Sequence, residues 1–413
     1  MLPILSQKEL TMGNVPDQTV ICKCLNYMDL SDDHFPLFNY RRRFTFVKAV
    51  KLLVEAQLSQ RSDLEAISLH LDANPQLQQD IGLVRISASQ IDRTLNALPL
   101  VELQELWFQL ISKQNQVCSA QKGAHLGKLR IIDSTVLSLP EMAGKWAYNS
   151  QTSNGIKIHT SVVLARPGLC YCDQMICSTR GVADSEVALD LVVDPEAIHV
   201  MDRGYIVYSQ FKHWLENNIR FVARIQKNSR TVVKEERDVS EFPSILRDAD
   251  VTVSYTDKET KEQVEVSLRL VEYIDDKERL YRVLTNVWDR TAVQISDIYR
   301  GRWAIELFFK WMKQHVSLVH LYSYKPEAVW NQIYLAMIAH ALLQLLHQES
   351  ATPQRLWSFL KMLRAYGTSS WAAFLERLNR KPTKHSLGRR KKKKLGRPRK
   401  HPKVHKTVKL IKK

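Results

Sequence analysis

Three carboxylates in separate segments of the chain have the residue type and surroundings to bind a hard metal ion. Asp133 ends the apolar run KLRIID, and Asp202 ends the run AIHVMD and is followed by a Gly turn. Both runs predict buried strands that deliver a carboxylate at the strand end. Either aspartate alone is more often a turn or cap residue. Together with Glu306 on a predicted helix, they form a three-carboxylate set.

The helix that carries Glu306 is predicted over Asp297–Val316. At about 100° per residue, five polar side chains share an arc of roughly 80°: Tyr299, Arg302, Glu306, Lys310 and Lys313. Four apolar positions share another flank: Ile305, Phe309, Met312 and Val316. Because Arg302–Glu306 and Glu306–Lys310 are also ordinary i,i+4 pairs, this stripe taken alone favours a solvated face, and it is the two aspartate segments that favour a site.

The chemistry that suits such a set is metal-dependent phosphoryl transfer. Mg²⁺ prefers oxygen ligands and is usually held by one or two carboxylates, waters and substrate phosphate. Two ions about 3.5–4 Å apart can activate the attacking oxygen and stabilise the leaving oxygen. The neighbouring Arg302, Lys310 and Lys313 are suited to hold an anionic substrate.

The spacing within this stripe resembles the signature of a known family. Four residues, separated by two, three and six positions, resemble the Tyr-Arg-Glu-Lys signature of bacterial insertion-sequence transposases with an Asp-Asp-Glu active site. They are Tyr299, Arg302, Glu306 and Lys313. The segments IDST and MDRGY, around Asp133 and Asp202, resemble that family's first and second aspartate regions. The resemblance covers residues 128–320.

The resemblance implies an enzyme that cuts the ends of an insertion sequence and joins the free 3′ hydroxyl to target DNA. Asp133, Asp202 and Glu306 would hold two Mg²⁺ or Mn²⁺ ions. Tyr299, Arg302 and Lys313 would contact phosphates near the transferred end. The expected partner is DNA, and the expected state is a homodimer on paired ends in the bacterial cytoplasm, associated with the nucleoid.

The elements around the site predict an α/β chain in three parts. We predict an N-terminal helical domain over residues 1–125, a catalytic domain over residues 126–378 and a basic tail over residues 379–413. In the catalytic part, three strands followed by alternating helices and strands match a ribonuclease-H-like mixed sheet flanked by helices. Period-two alternation between 226 and 286 predicts a β-rich insertion between Asp202 and Glu306.

The N-terminal domain is expected to bind the DNA ends. Ser62 and Ser87 begin segments spaced as capping boxes, and a short helix is predicted from Asn74-Pro75 to Gly82. Short helices broken by tight turns suggest a helix-turn-helix-like bundle with residues 89–97 as the reading helix. A plain helical packing domain fits these patterns equally well.

The tail accounts for the whole excess of positive charge. Of the 60 Lys and Arg residues, 17 lie in 380–413 together with no Asp or Glu, so the net charge of +17 belongs to this segment. A run of like charge cannot pack a core, and we expect it to be disordered and to hold DNA through phosphate contacts. A minor-groove contact by Gly396-Arg397-Pro398 is the alternative.

Membrane insertion and secretion are not expected. The N-terminal residues lack the pattern of a secretory signal, and the longest apolar stretch, 335–346, is interrupted by His340 and Gln344 and is too short to span a bilayer. The six cysteines lack paired zinc-ligand spacing and are expected to be reduced thiols.

Two other functions fit part of these patterns. One is a metal-dependent nuclease with the same ions and no joining step, and the other is a non-catalytic DNA-binding regulator. The carboxylate set argues against the regulator, because carboxylates near phosphate would repel it. Three further side chains are weaker candidates, because packing is the commoner use of each: His159 as a catalytic group, and Tyr281 and Trp288 as platforms for an unpaired base.

Overall fold

The computed structural model describes residues 18–40, 42–119, 128–150, 153–166, 169–257, 260–316 and 320–380. The predicted disordered tail, with its candidate minor-groove contact, lies outside the described residues from 381 onward. The strands are β1 (Leu129–Leu139), β2 (Tyr148–Ser150), β3 (Ser153–Arg166), β4 (Leu169–Thr179), β5 (Ile198–Met201), β6 (Arg220–Arg224), β7 (Val232–Glu236), β8 (Ile245–Thr256), β9 (Gln263–Ile274) and β10 (Leu280–Thr285).

The helices precede, interrupt and follow these strands. They are α1 (Val20–Asn26), α2 (Pro36–Asn39), α3 (Phe46–Ser59), α4 (Leu64–Asp72), α5 (Pro75–Ile81), α6 (Ala88–Ala97), α7 (Leu100–Ser119), α8 (Ala188–Leu191), α9 (Tyr208–Glu216), α10 (Ala292–Arg300), α11 (Trp303–His315), α12 (Pro326–Glu349), α13 (Leu356–Tyr366) and α14 (Trp371–Leu378).

One mixed sheet of ten strands runs through the described part of the chain. Its order is β2-β3-β1-β5-β6-β10-β9-β8-β7, and β4 also pairs with β3. Strands β1, β5 and β6 are parallel neighbours, whereas β3 is antiparallel to both β1 and β4. This order, with helices packed against the sheet, is that of the ribonuclease-H-like fold. The predicted fold class is therefore confirmed.

The predicted β-rich insertion extends this same sheet. Its strands β7 to β10 join the core through the antiparallel pair β10–β6, in which Thr285 lies opposite Val222. A buried ion pair ties β8 to β9: the guanidinium of Arg269 donates to both carboxylate oxygens of Asp248 at 2.8 and 2.7 Å. The insertion is thus a continuation of the sheet whose strand β5 leads into Asp202.

The N-terminal helices share a hydrophobic core with the helices that follow the active-site segments. Helix α12 packs against α3, α6 and α7, and one cluster of buried side chains runs from α1 through the sheet to α14. Helix α12 is also the one described helix that is long and apolar enough to cross a membrane, but almost all of its apolar window is buried by the rest of the chain.

The long helix predicted over 297–316 is divided in the structure, so that prediction was wrong in detail. The stretch forms α10 and α11, because Gly301 and Arg302 make a tight turn with i to i+3 hydrogen bonds at 3.0 and 3.1 Å. A similar division separates α13 from α14, where Ser370 caps the new helix by accepting from the N–H of Ala373.

Helix starts in the N-terminal region follow local capping chemistry. Ser87 caps α6 as predicted, and α5 begins at Pro75 and ends at Gly82, whose positive φ suits glycine. The prediction that Ser62 begins a capping box was wrong. The cap of α4 is Asp63, which accepts from the N–H of Ala66 at 2.7 Å.

Candidate active site

The first two aspartates lie side by side at the edge where two parallel strands stop pairing. Pairing between β1 and β5 ends at Ile132 opposite Met201, so Asp133 and Asp202 are the next residues on neighbouring strands. Strand β1 does not end at Asp133, as its sequence suggested, because antiparallel pairing with β3 continues to Leu139. Parallel pairing, rather than the strand end, therefore sets the position of Asp133.

The third carboxylate approaches from α11. Ile305 and Met312 on this helix are buried in the core, which fixes the opposite face toward the aspartates. An open cleft results, and its lining residues are Asp133, Ser134, Asp202, Arg302, Glu306, Phe309, Lys310, Lys313 and Gln314. Five of the six residues predicted from the sequence line this cleft.

Arg302 links two of the three carboxylates. Its guanidinium donates to Oδ2 of Asp133 at 2.9 Å and also to the carboxylate of Glu306. Burial opposes the charge of Arg302, but Tyr299 and the surrounding carboxylates together raise the pKa of the guanidinium. The arginine therefore remains a fixed positive charge between the first and third carboxylates.

Asp133 is held in an environment that disfavours its charge. Its Oδ1 accepts the backbone N–H of Ser134 at 2.8 Å, and its side chain is 24% exposed. Burial raises the pKa of Asp133 to about 6, and the charges of Asp202 and Asp184 add to this rise. A bound cation would relieve the same cost.

Asp202 is oriented from several sides. Its Oδ1 accepts the backbone N–H of Arg203 at 2.8 Å and the hydroxyl of Tyr299 at 3.4 Å, and it lies 3.9 Å from Nη1 of Arg224. Tyr299 is buried behind Asp202, and this burial, with the nearby carboxylate, raises the pKa of its phenol. Tyr299 is thus placed to orient Asp202, while Arg224 stands at the rim.

The cleft also carries cations on the α11 side. Lys310 and Lys313 both line it, and Nζ of Lys313 donates to the carbonyl of Val136 at 3.3 Å. Burial lowers the pKa of Lys313. Together with Arg302, these side chains give the cleft positive charges beside its carboxylates.

The donor set fits a divalent cation by its chemistry. The carboxylates of Asp133, Asp202 and Glu306 supply the oxygen ligands that Mg²⁺ and Mn²⁺ prefer. In the part of the chain that the structure describes, no three such groups are already close enough to hold an ion. Arg302 donates to one oxygen of Asp133 and one oxygen of Glu306, so this guanidinium competes with a cation for these two oxygens.

A fourth carboxylate, Asp184, was missed in the sequence. It follows β4, and its Oδ1 accepts the hydroxyl of Ser134 at 2.8 Å and lies 3.2 Å from Nδ1 of His159. His159 is fully buried and outside the cleft lining, so it acts as a partner of Asp184. Asp184 lies shortly before α8, where an aspartate is typical of a helix start, and no local pattern in the sequence distinguishes it from a capping residue.

The two aromatic candidates differ in position. Tyr281 lies directly opposite Tyr273 on β9, and their rings stack at 5.2 Å between centroids, which is cross-strand packing. The guanidinium of Arg224 covers the Tyr281 ring at 4.7 Å. Trp288 is half exposed and lies 5.8 Å from Arg237, away from the cleft lining.

Comparisons with known proteins point to one family. The family described as the transposase DDE domain matches residues 125–342. A Geobacillus stearothermophilus protein named as a probable transposase for insertion sequence element IS5377 is 26% identical over 287 residues, which are 69% of this chain and 74% of that protein. A Sinorhizobium fredii protein named as a transposase, y4zB, is 32% identical over 52% of this chain and 60% of its own length. A Synechocystis protein named as a transposase for insertion sequence element IS4SA is 25% identical over 272 residues, which are 62% of this chain and 72% of that protein.

Proposed function

The chain belongs to the family of transposases with a DDE domain, and from this premise we propose that it cuts the ends of an insertion sequence and joins them to target DNA. That it is an insertion-sequence transposase, an enzyme acting on DNA, follows from the family and the relatives. The cut-and-join mechanism is the proposal. The observation that carries it is the meeting of Asp133, Asp202 and Glu306 at one open cleft with three cations.

Transposases of this family generally use divalent metal ions, and we propose that these three carboxylates hold two Mg²⁺ or Mn²⁺ ions. When bound, such ions activate the attacking oxygen and stabilise the leaving oxygen. The chain's own residues orient the carboxylates and bind the substrate. Tyr299 orients Asp202 through its hydroxyl. The planar guanidinium of Arg302 and the ammonium group of Lys313 are proposed to bind phosphates of the transferred end.

The DNA path is proposed to continue past Asp202 toward the sheet extension. Arg203 and Arg224 border a small pocket next to the cleft, together with Tyr208, Gln226 and Ser229. Two guanidinium groups with hydroxyl and amide neighbours suit a backbone phosphate. A homodimer on paired DNA ends, associated with the nucleoid, is part of the same proposal.

The test uses the full-length chain, a labelled duplex bearing its own element's end, and supercoiled target DNA, with Mg²⁺ or chelator. Metal-dependent nicking followed by covalent joining is expected from the wild type. Asp133→Asn, Asp202→Asn and Glu306→Gln should each abolish cleavage and leave end binding intact. Asp297→Asn is the matched control, because this carboxylate lies on α10 outside the cleft lining.

The alternatives have their own outcomes. Nicking without joining, across varied target DNA, would replace the proposal with a metal-dependent nuclease. Binding of the element's end without any cutting would favour a DNA-binding regulator and leave the carboxylates structural. Near-wild-type cleavage by one of the three variants would remove that residue from the site.

A further inference from the structure

Asp184 lies in a short turn after β4, at the back of the candidate active site. It is half-buried, and it is not among the residues that line the cleft. Its position brings it between the two segments that carry Asp133 and Asp202, although it is distant from both in sequence.

The first contact of Asp184 is with the Asp133 segment. The hydroxyl of Ser134 donates to Oδ1 of Asp184 at 2.8 Å, while the backbone N–H of the same serine donates to Asp133 at 2.8 Å. Ser134 is therefore held from both sides. Any rotation of this residue would move the hydrogen-bond donor that fixes the Asp133 carboxylate.

The second contact is with the Asp202 segment. Oδ2 of Asp184 lies against Gly204, where an added Cβ would come within 3.3 Å of it. Gly204 belongs to the tight turn whose first N–H, from Arg203, is accepted by Asp202. The Asp184 carboxylate thus accepts a hydrogen bond from the residue after Asp133 and lies close to the turn that begins at Asp202.

The charge of Asp184 is supported from the side opposite the cleft. Nδ1 of His159 lies 3.2 Å from Oδ1 and Nζ of Lys157 lies 3.5 Å from it. Burial disfavours the charge of Asp184, yet the close contact with His159, the hydrogen bond from Ser134 and the charge of Lys157 together lower the pKa of this carboxyl. Such partners behind a site hold and orient the groups that face the ligand.

We propose that Asp184 is a positioning residue: through Ser134 and Gly204 it fixes the separation of Asp133 and Asp202, and thereby sets the affinity of the cleft for a divalent cation. The inference rests on the proposed function of those two aspartates. Asp184 itself needs no contact with the ion or with DNA.

The experiment measures Mn²⁺ binding to the full-length protein by electron paramagnetic resonance, alongside cleavage of the element's end. Asp184→Ala, Ser134→Ala and the double variant are compared with the wild type. Removing a group that orients metal ligands typically costs about 10- to 100-fold in metal affinity or activity, so each single variant should weaken Mn²⁺ binding on that scale. End binding in chelator should stay unchanged.

The double variant separates positioning from general destabilisation. Because Asp184 and Ser134 act through one hydrogen bond, their effects should not add, and the double variant should bind Mn²⁺ about as well as the weaker single variant. Asp190→Asn is the matched control, since this exposed carboxylate lies in the same connection on α8. If Asp184→Ala does not fold, the Mn²⁺ affinity of Ser134→Ala tests the inference on its own.

Wild-type Mn²⁺ affinity in Ser134→Ala, or additive losses in the double variant, would overturn the inference. Asp133→Asn is measured in parallel. If that variant loses cleavage while both Asp184→Ala and Ser134→Ala behave as wild type, only the positioning role fails. If Asp133→Asn cleaves normally, Asp133 is not part of the site, and the role proposed for this aspartate fails before the positioning role is tested.

Discussion

Replacing Asp133 with asparagine should stabilise the metal-free protein while abolishing cleavage. Burial raises the pKa of Asp133 from 3.8 to about 6. At about 1.4 kcal/mol per pKa unit, the ionised form costs about 3 kcal/mol of folding free energy. The folded-state pKa of Asp133 lies above its unfolded-state pKa. The contribution of Asp133 to the free energy of unfolding is therefore fully present below pH 4 and is lost as the pH rises through 6.

Asparagine resembles the neutral acid and avoids this cost. In chelator at pH 8, Asp133→Asn should therefore be more stable than the wild type by about 2–3 kcal/mol. For a chain of this size that corresponds to a rise of roughly 2–4 °C in Tm. At pH 4 the two proteins should melt together. Thermal unfolding followed by circular dichroism at both pH values measures the difference.

The neighbouring carboxylate of Asp184 supplies a control, because its substitution should change the stability at pH 8 in the opposite direction. Burial opposes the charge of Asp184, but its contacts with His159, Ser134 and Lys157 together lower the pKa of this carboxyl. Its charge therefore stabilises the fold above pH 4, and this contribution is lost as the pH falls. Asp184→Asn should accordingly melt lower than the wild type at pH 8. Destabilisation by Asp133→Asn at pH 8, or equal stabilisation at pH 4 and pH 8, would refute the reasoning.

Three further outcomes are expected. Deleting residues 380–413 should weaken DNA binding most at low salt and flatten its salt dependence, measured by fluorescence anisotropy, because the tail holds the whole charge excess; an unchanged slope would mean that the tail does not contact DNA. Arg203→Gln and Arg224→Gln should each weaken binding about equally for all sequences and lower the salt slope by about one, and a sequence-dependent loss would argue against phosphate contact. Arg269→Leu leaves a buried carboxylate without its main partner and should cost about 3 kcal/mol or more in thermal unfolding, which a near-unchanged Tm would contradict.

Much of the site could be predicted because its information is local. Apolar runs before Asp133 and Asp202 specify strands, and a 3.6-residue period around Glu306 specifies a helix with one packed face. Side-chain periodicity depends only on neighbours along the chain. The same periodicity does not reveal the turn at Gly301 and Arg302 that divides α10 from α11, because both residues keep right-handed helical dihedral angles there.

Long-range contacts decided what the sequence could not. The pairing of β10 with β6 makes the insertion part of the catalytic sheet, and α12 joins the N-terminal helices to the same core. Neither follows from a pattern within one segment, because period-two alternation specifies a strand but not its neighbour.

The sequence by itself determined the three carboxylates, the cations beside Glu306, the order of strands and helices, and the charged tail. Only the tertiary structure brought Asp184 behind Asp133 and placed Arg302 between Asp133 and Glu306. These contacts join residues up to 169 positions apart, and burial then raises the pKa of Asp133. Residue type and spacing specify which groups are present, whereas distance and desolvation, which arise only on folding, set their charge and their partners.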